Sequence, residues 1–181
     1  MSKNIVVLTG SPRKKSSSAR LAAAFTDGAK AGGHSVTMFR VAGMKIGGCL
    51  GCDHCIEEKE KGVCVQKDDM QQISEALASA DILVLASPVY FWGVTSQLKQ
   101  VIDRMYALLQ RSTKIKQAAL LMSCGDDSDS VAHPSIAMFR EICSYLKWKE
   151  AGIIVAPGLN TADEIEGRPE LEQAKKLGRE I

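Results

Sequence analysis

The chain has 181 residues, 45% of them hydrophobic and 24% charged. That is one domain's worth of sequence with apolar material for a full core, which excludes a disordered chain, a fibrous repeat and a cysteine-stapled miniprotein. Lys plus Arg number 23 and Asp plus Glu 21, and the net charge of +2 gives no general pull toward nucleic acid or a membrane surface.

Residues 4–9 form a continuous apolar run closed by Gly10-Ser11-Pro12, which reads as a buried strand. The run is too short for a signal-peptide core or a bilayer span, so a cytoplasmic protein without a membrane span is expected. Ser17 or Ser18 can cap a helix to about residue 31, with Leu21, Phe25 and Ala29 on its apolar face and Gly32-Gly33 behind it. A second strand is predicted over 36–41, and 43–65 is irregular. Asp68 and Gln71 resemble a capping box for a helix through residue 79, where Asp68 and Asp69 serve as helix-start charges. Residues 81–86 make a third strand, buried on both faces. Thr95 caps a helix whose stripe is Leu98, Val101, Ile102, Met105 and Leu109, with Lys99 and Arg104 toward solvent. Residues 117–123 are a fourth strand. Ile136, Phe139, Cys143 and Leu146 stripe the next helix, where Cys143 acts as a small core residue. Residues 151–156 are a fifth strand, and Pro169 opens a last helix that Gly178 ends. Strands alternating with helices imply a parallel sheet with right-handed crossovers and helices on both faces. In such a sheet a ligand sits outside the carboxyl ends of the strands.

Two loops at that edge are informative. The first runs Thr9-Gly10-Ser11-Pro12-Arg13-Lys14-Lys15-Ser16-Ser17-Ser18 and feeds a helix N-terminus, where free N–H groups and the dipole favour an anion. Five of these ten residues carry hydroxyls and three are basic, which suits a phosphate, though also a polar capped surface turn. There is no Walker-type loop, no Gly-x-Gly-x-x-Gly after the strand and no cysteine nucleophile in this loop. The second loop, Ser87-Pro88-Val89-Tyr90-Phe91-Trp92-Gly93, places three aromatics in a row. A planar ligand read by backbone groups at its polar edge would account for them, as would an apolar lid or a dimer contact. A phosphate at one end and a flat ring at the other describe a mononucleotide, and FMN fits best.

The chain resembles the NADPH-dependent FMN reductase family, in its iron–sulfur-flavoprotein-like and multimeric-flavodoxin-like branch. The resemblance rests on Gly10-Ser11-Pro12-Arg13, on Cys49-Leu50-Gly51-Cys52-Asp53-His54-Cys55 with Cys64 and Asp68-Asp69-Met70, and on Ser87-Pro88-Val89-Tyr90 through Gln97-Leu98-Lys99 to Asp103-Arg104. It implies one α/β domain over 1–181: a flavodoxin-like three-layer sandwich whose five-stranded parallel sheet has order 2-1-3-4-5. It implies FMN phosphate on Ser11, Arg13, Ser17 and Ser18, and the ring on Pro88, Val89, Tyr90, Phe91 and Trp92. The loop after the fourth strand, Ser123, Cys124 and Gly125, would approach the flavin, with Asp126-Asp127 more acidic than is usual there. The implied activity is transfer of electrons from NADPH or NADH through FMN to a quinone, flavin, nitro or azo compound, or protein acceptor. A homodimer or homotetramer is implied, in which a neighbouring subunit closes the site.

Cys49-x2-Cys52-x2-Cys55-x8-Cys64 lies in a loop, 47–66, inserted after the second strand. Such spacing suits a 4Fe-4S cluster, a structural zinc, or free and redox-labile thiols. The iron–sulfur flavoproteins close this motif with a shorter last gap. Here eight residues intervene and five of them are charged, as in an exposed excursion. His54 lies within the loop as a surface residue or a ligand. With a cluster the chain would be an iron–sulfur electron carrier; with thiols alone, a flavin or thiol redox sensor.

Overall fold

The computed structural model describes residues 1–57, 61–111 and 113–181. Ten elements alternate in chain order: β1 (Asn4–Thr9), α1 (Ser17–Ala31), β2 (Ser35–Arg40), α2 (Met70–Ser79), β3 (Ile82–Pro88), α3 (Ser96–Arg104), β4 (Gln117–Ser123), α4 (His133–Leu146), β5 (Lys149–Ala156) and α5 (Pro169–Glu180). All strand pairs are parallel and the order is β2-β1-β3-β4-β5, the expected flavodoxin-like arrangement. No helix among the described residues is long and apolar enough to cross a membrane.

The three central strands are apolar on both faces, and their alternation divides the core in two. Val6, Leu8, Leu83, Leu85 and Leu120 meet α2, α3 and α4 through Ile73, Leu77, Leu98, Val101 and Phe139. Ile5, Val7, Val84 and Leu121 meet α1 and α5 through Leu21, Phe25 and Ala174. Cys143 lies in the first core, as expected, and burial pushes its thiol up to about 11, with Glu150 adding to the shift.

Several element boundaries differ from the sequence reading. The cap of α1 is Ser16, whose hydroxyl accepts from the Ala19 N–H at 3.2 Å; Ser17 and Ser18 lie inside the first turn. The cap of α2 is Asp69, and the Asp68–Gln71 capping box does not form. α3 stops at Arg104, and Met105–Gln110 continues as a 3-10 turn that turns Leu109 partly outward. α5 runs through Gly178 rather than ending there.

The reason for Gly178 is close approach. A Cβ there would stand 2.0 Å from the Phe25 carbonyl oxygen, and one at Gly28 would stand 1.9 Å from that of Lys175. Each clash is with backbone, so α1 and α5 would have to separate. Alanine is otherwise the better helix former by about 1 kcal/mol. We expect Gly28→Ala and Gly178→Ala nonetheless to lower stability by roughly 1–3 kcal/mol, the usual cost of overpacking. Urea denaturation measures this, and a stabilised variant would contradict the close packing.

Candidate functional site

Four loops meet at the carboxyl edge of the sheet around a cleft of about 180 Å3. Ser11, Arg13, Lys15, Ser16 and Ser17 come from the loop after β1 and the first turn of α1. Pro88, Val89 and Tyr90 come from the end of β3 and its loop, and Ser123, Cys124 and Gly125 from the end of β4. The fourth wall is Leu159, Asn160, Thr161 and Ala162, after β5.

The first wall is an anion cradle by its donor set. Arg13 and Lys15 are the cations on the cleft and, among the described residues, no carboxylate lines it. The hydroxyls of Ser11, Ser16 and Ser17 lie on the same wall, at the N-terminus of the 15-residue helix α1. The loop's shape is fixed from outside by Arg40 Nη2, which donates to the Pro12 carbonyl at 2.7 Å, and from within by the Arg13 N–H, which donates to Ser11 Oγ at 3.3 Å. Ser17 Oγ donates to the Thr161 carbonyl at 3.2 Å and so joins the first wall to the fourth. These residues fit a phosphate monoester.

The first and second walls are held together by Thr95. Its hydroxyl donates to the Gly10 carbonyl at 2.8 Å and accepts from the Leu98 N–H at 3.3 Å, while its own N–H donates to Ser87 Oγ at 3.0 Å. Gly10 is required there, since a Cβ would stand 2.6 Å from Thr95 Oγ1.

Tyr90 and Gly93 exchange backbone hydrogen bonds of 2.9 and 3.0 Å around Phe91 and Trp92. Both central residues have positive φ, 47° and 60°. That conformation is normally taken by Gly or Asn, and for two aromatics it is strained. Such strain persists where the surroundings impose it and is concentrated at ligand sites. Phe91 is 94% exposed and Trp92 55%, their rings meeting edge to face at 5.2 Å. They flank an adjoining hollow shared with Val89, Cys124, Gly125 and Asp126. Cys124 is buried between the two hollows, and burial pushes its thiol up, with Asp126 and Asp129 adding to the shift.

Of the residues singled out in the sequence, the structure brings Ser11, Arg13, Ser17, Pro88, Val89, Tyr90, Ser123, Cys124 and Gly125 onto one cleft. Phe91 and Trp92 lie on its rim, and Ser18 is buried behind it. Sequence reasoning missed Lys15, Ser16 and the whole fourth wall. The signal for that wall was topological: Pro157-Gly158 follows β5 at the same edge.

The four cysteines surround a separate hollow of about 360 Å3 walled also by Asp103 and Tyr106. Cys49 and Cys52 are exposed, while Cys55 and Cys64 are half-buried. Burial raises the Cys55 thiol, and the nearby Cys64, Cys49 and Cys52 add to the rise. Among the described residues no three metal-binding side chains are gathered tightly enough to hold one ion. The sulfurs ring a space rather than converge on a point.

The base of this loop is closed by Arg104, which is 3% exposed rather than solvated as expected. Its Nη1 donates to the Gly47 carbonyl at 3.0 Å and to Asp68 Oδ2 at 2.9 Å, and its Nη2 to Asp68 Oδ1 at 3.1 Å. Asp68 also accepts from the Gly47 and Met70 N–H groups, at 3.0 and 3.1 Å. Burial alone would raise the Asp68 carboxyl, but the Arg104 hydrogen bond and these N–H donors outweigh it and hold the carboxyl below its ordinary value.

The profile of the NADPH-dependent FMN reductase family matches residues 3–157. The chain belongs to that family. An iron-sulfur flavoprotein of Archaeoglobus fulgidus is 30% identical over 97% of this chain and 77% of its own length. An iron-sulfur flavoprotein of Methanocaldococcus jannaschii is 28% identical over 98% of this chain and 94% of its own length. Among solved structures, an NAD(P)H:quinone oxidoreductase from Methanothermobacter marburgensis superposes with a TM-score of 0.75 at 22% identity, covering 99% of this chain and 96% of that one.

The raised, buried Cys124 and Cys143 of this FMN reductase family member should resist iodoacetamide at neutral pH, while Cys49 and Cys52 react. Mass spectrometry of the alkylated native protein reads this directly, and early labelling of Cys124 would contradict its burial. Asp68→Asn should destabilise the fold by about 3 kcal/mol near neutrality, since it leaves a buried guanidinium without its anion. Because the folded carboxyl titrates below the unfolded one, its contribution is present above the ordinary value of 3.8 and fades as the pH falls through the folded value. The stability gap between wild type and variant should therefore close in acid, as denaturation at a series of pH values would show.

Proposed function

We propose that the chain is an FMN-dependent NAD(P)H oxidoreductase that passes electrons through the flavin to a quinone, a free flavin, a nitro or azo compound, or a protein acceptor. The observation that carries this reading is an anion cradle and a strained aromatic turn on adjoining walls of one carboxyl-edge cleft. Membership of the NADPH-dependent FMN reductase family supports it.

In this reading Ser11, Arg13 and Ser17 hold the FMN phosphate, with Lys15 and Ser16 beside them and Ser18 packing behind. Arg13 supplies a charge-assisted donor and the seryl groups neutral ones. Pro88, Val89 and Tyr90 bear on the ring, Phe91 and Trp92 cover it from the rim, and Ser123, Cys124 and Gly125 close its far side. Bound FMN supplies the redox chemistry, receiving reducing equivalents from NADPH or NADH and releasing them to the acceptor. Cys124 contributes a neutral thiol there, adding no negative charge beside the ring that must accept electrons. The cleft is smaller than the roughly 300 Å3 of ordinary ligand pockets, so this chain alone leaves much of the cofactor open. Exposed Phe91 and Trp92 suit coverage by a second subunit of a homodimer or homotetramer.

A second reading is favoured by the cysteine hollow. Four thiols around one space have the donor chemistry of a 4Fe-4S site, and the relatives cited above are named iron-sulfur flavoproteins. With a cluster held by Cys49, Cys52, Cys55 and Cys64, the chain would carry electrons between an iron–sulfur protein and FMN.

The absorption spectrum of protein purified without air separates these readings. Flavin bands with rapid anaerobic bleaching by NADPH support the first. A broad brown shoulder with four irons per chain and slow oxidation of NADPH supports the second. Arg13→Ala should weaken FMN binding roughly 10- to 100-fold, the loss of one charged hydrogen bond. Unchanged affinity by fluorescence titration would overturn the phosphate assignment.

A further inference from the structure

The arginine at the base of the cysteine hollow has one feature that its ion pair leaves over. Its Nε is buried and has no hydrogen-bond partner. Leaving such a donor unpaired costs on the order of 1–3 kcal/mol, more for a charged group, so an acceptor is called for. The neighbouring acceptor chemistry is sulfur. The Cys64 thiol lies beside the guanidinium, though without a well-formed hydrogen bond.

The surrounding contacts show what the arginine organises. Residues 45–48 lead into the cysteine loop and 66–70 lead out of it. The Lys45 N–H donates to Asp69 Oδ2 at 2.7 Å, and the Asp69 N–H returns a bond to the Lys45 carbonyl at 3.1 Å. Gln66 Nε2 donates to the Gly48 carbonyl at 2.9 Å. Arg104 reaches both strips, Gly47 on one and Asp68 on the other, from a different helix. The loop is thus stapled at its neck, and the staple carries a spare donor pointing to none of the described oxygens.

We propose that Arg104 is a positioning residue for the four-cysteine loop, fixing its neck through Gly47 and Asp68 and offering its Nε–H to the Cys64 sulfur of a cluster held there. The second half rests on the reading of the hollow as a cluster site; the first half does not. An N–H donor to a ligand sulfur raises the reduction potential of such a centre, so Arg104 would set how readily it accepts an electron.

The test uses the protein as isolated, with Arg104→Lys, which keeps the charge but loses the fork and Nε, and Arg104→Gln, which loses the charge as well. Retained FMN binding reports that each variant folds. Hydrogen exchange by mass spectrometry should then rise at 45–48 and 66–70 in both variants and stay unchanged across β1, β3 and β4. Unchanged exchange at the neck would overturn the positioning role, whether or not iron is present. Anaerobic loading with iron and sulfide, followed by metal and acid-labile sulfide counts, judges the cluster reading separately. If the wild type takes up no iron, the donation to a cluster is overturned and the exchange result alone decides the rest. If it loads, Arg104→Lys should hold the same iron with a lower midpoint potential in a dye-mediated titration. An identical potential would overturn the Nε donation.

Discussion

Thr95 stands fully buried where β1, β3 and α3 come together, and each of its polar groups is committed. The hydroxyl caps α3 and binds the Gly10 carbonyl, and the N–H binds Ser87. Gly10 in turn donates to the Ala86 carbonyl at 2.8 Å. The loop after β1 and the loop after β3 therefore cannot move independently. The first two walls of the cleft are thereby held at a fixed separation by this buried cluster. The other walls are tied in the same way. The Val89 N–H donates to Ser123, that of Cys124 to Ala156, and that of Leu159 back to Cys124. Bonds pass from loop to loop across the strand ends, so the edge is a rigid rim rather than four separate turns.

Against that rim the Tyr90–Gly93 turn is the strained part. An Asn-Gly pair would form the same tight turn at little cost. Phe91 and Trp92 form it only because flanking bonds hold Tyr90 and Gly93 in register, and their rings then stand away from the protein. The sequence thus gives up local stability and solubility at one point of the rim.

The alternation of strands and helices and the first two walls were legible because they follow from local patterns: apolar runs, hydroxyls before a helix, aromatics where a loop should be polar. The strand order and the third wall came only with the family resemblance, since no local pattern marks Ser123, Cys124 and Gly125. The fourth wall was not legible, since Leu159, Asn160 and Thr161 carry no pattern and matter only through where β5 ends. Three adjacent serines made the α1 cap ambiguous, because any of them could serve and only backbone geometry selects Ser16. Arg104 was misread for a related reason. A charged residue on an amphipathic helix normally faces water. What buries this one is Asp68, 36 positions earlier and joined to it only by the tertiary fold.

That misreading also concealed how the two sites are connected. α3 is capped by Thr95, which binds the loop after β1, and ends at Arg104, which binds the cysteine loop. Nine steps of 1.5 Å put these ends about 14 Å apart along one helix. Its apolar face, Leu98 and Val101, is fully buried on the sheet, so the helix has no freedom to pivot. The cleft and the cysteine hollow are therefore held to a common ruler. The buried fork of Arg104 and the buried hydroxyl of Thr95 are the two fixings of that helix.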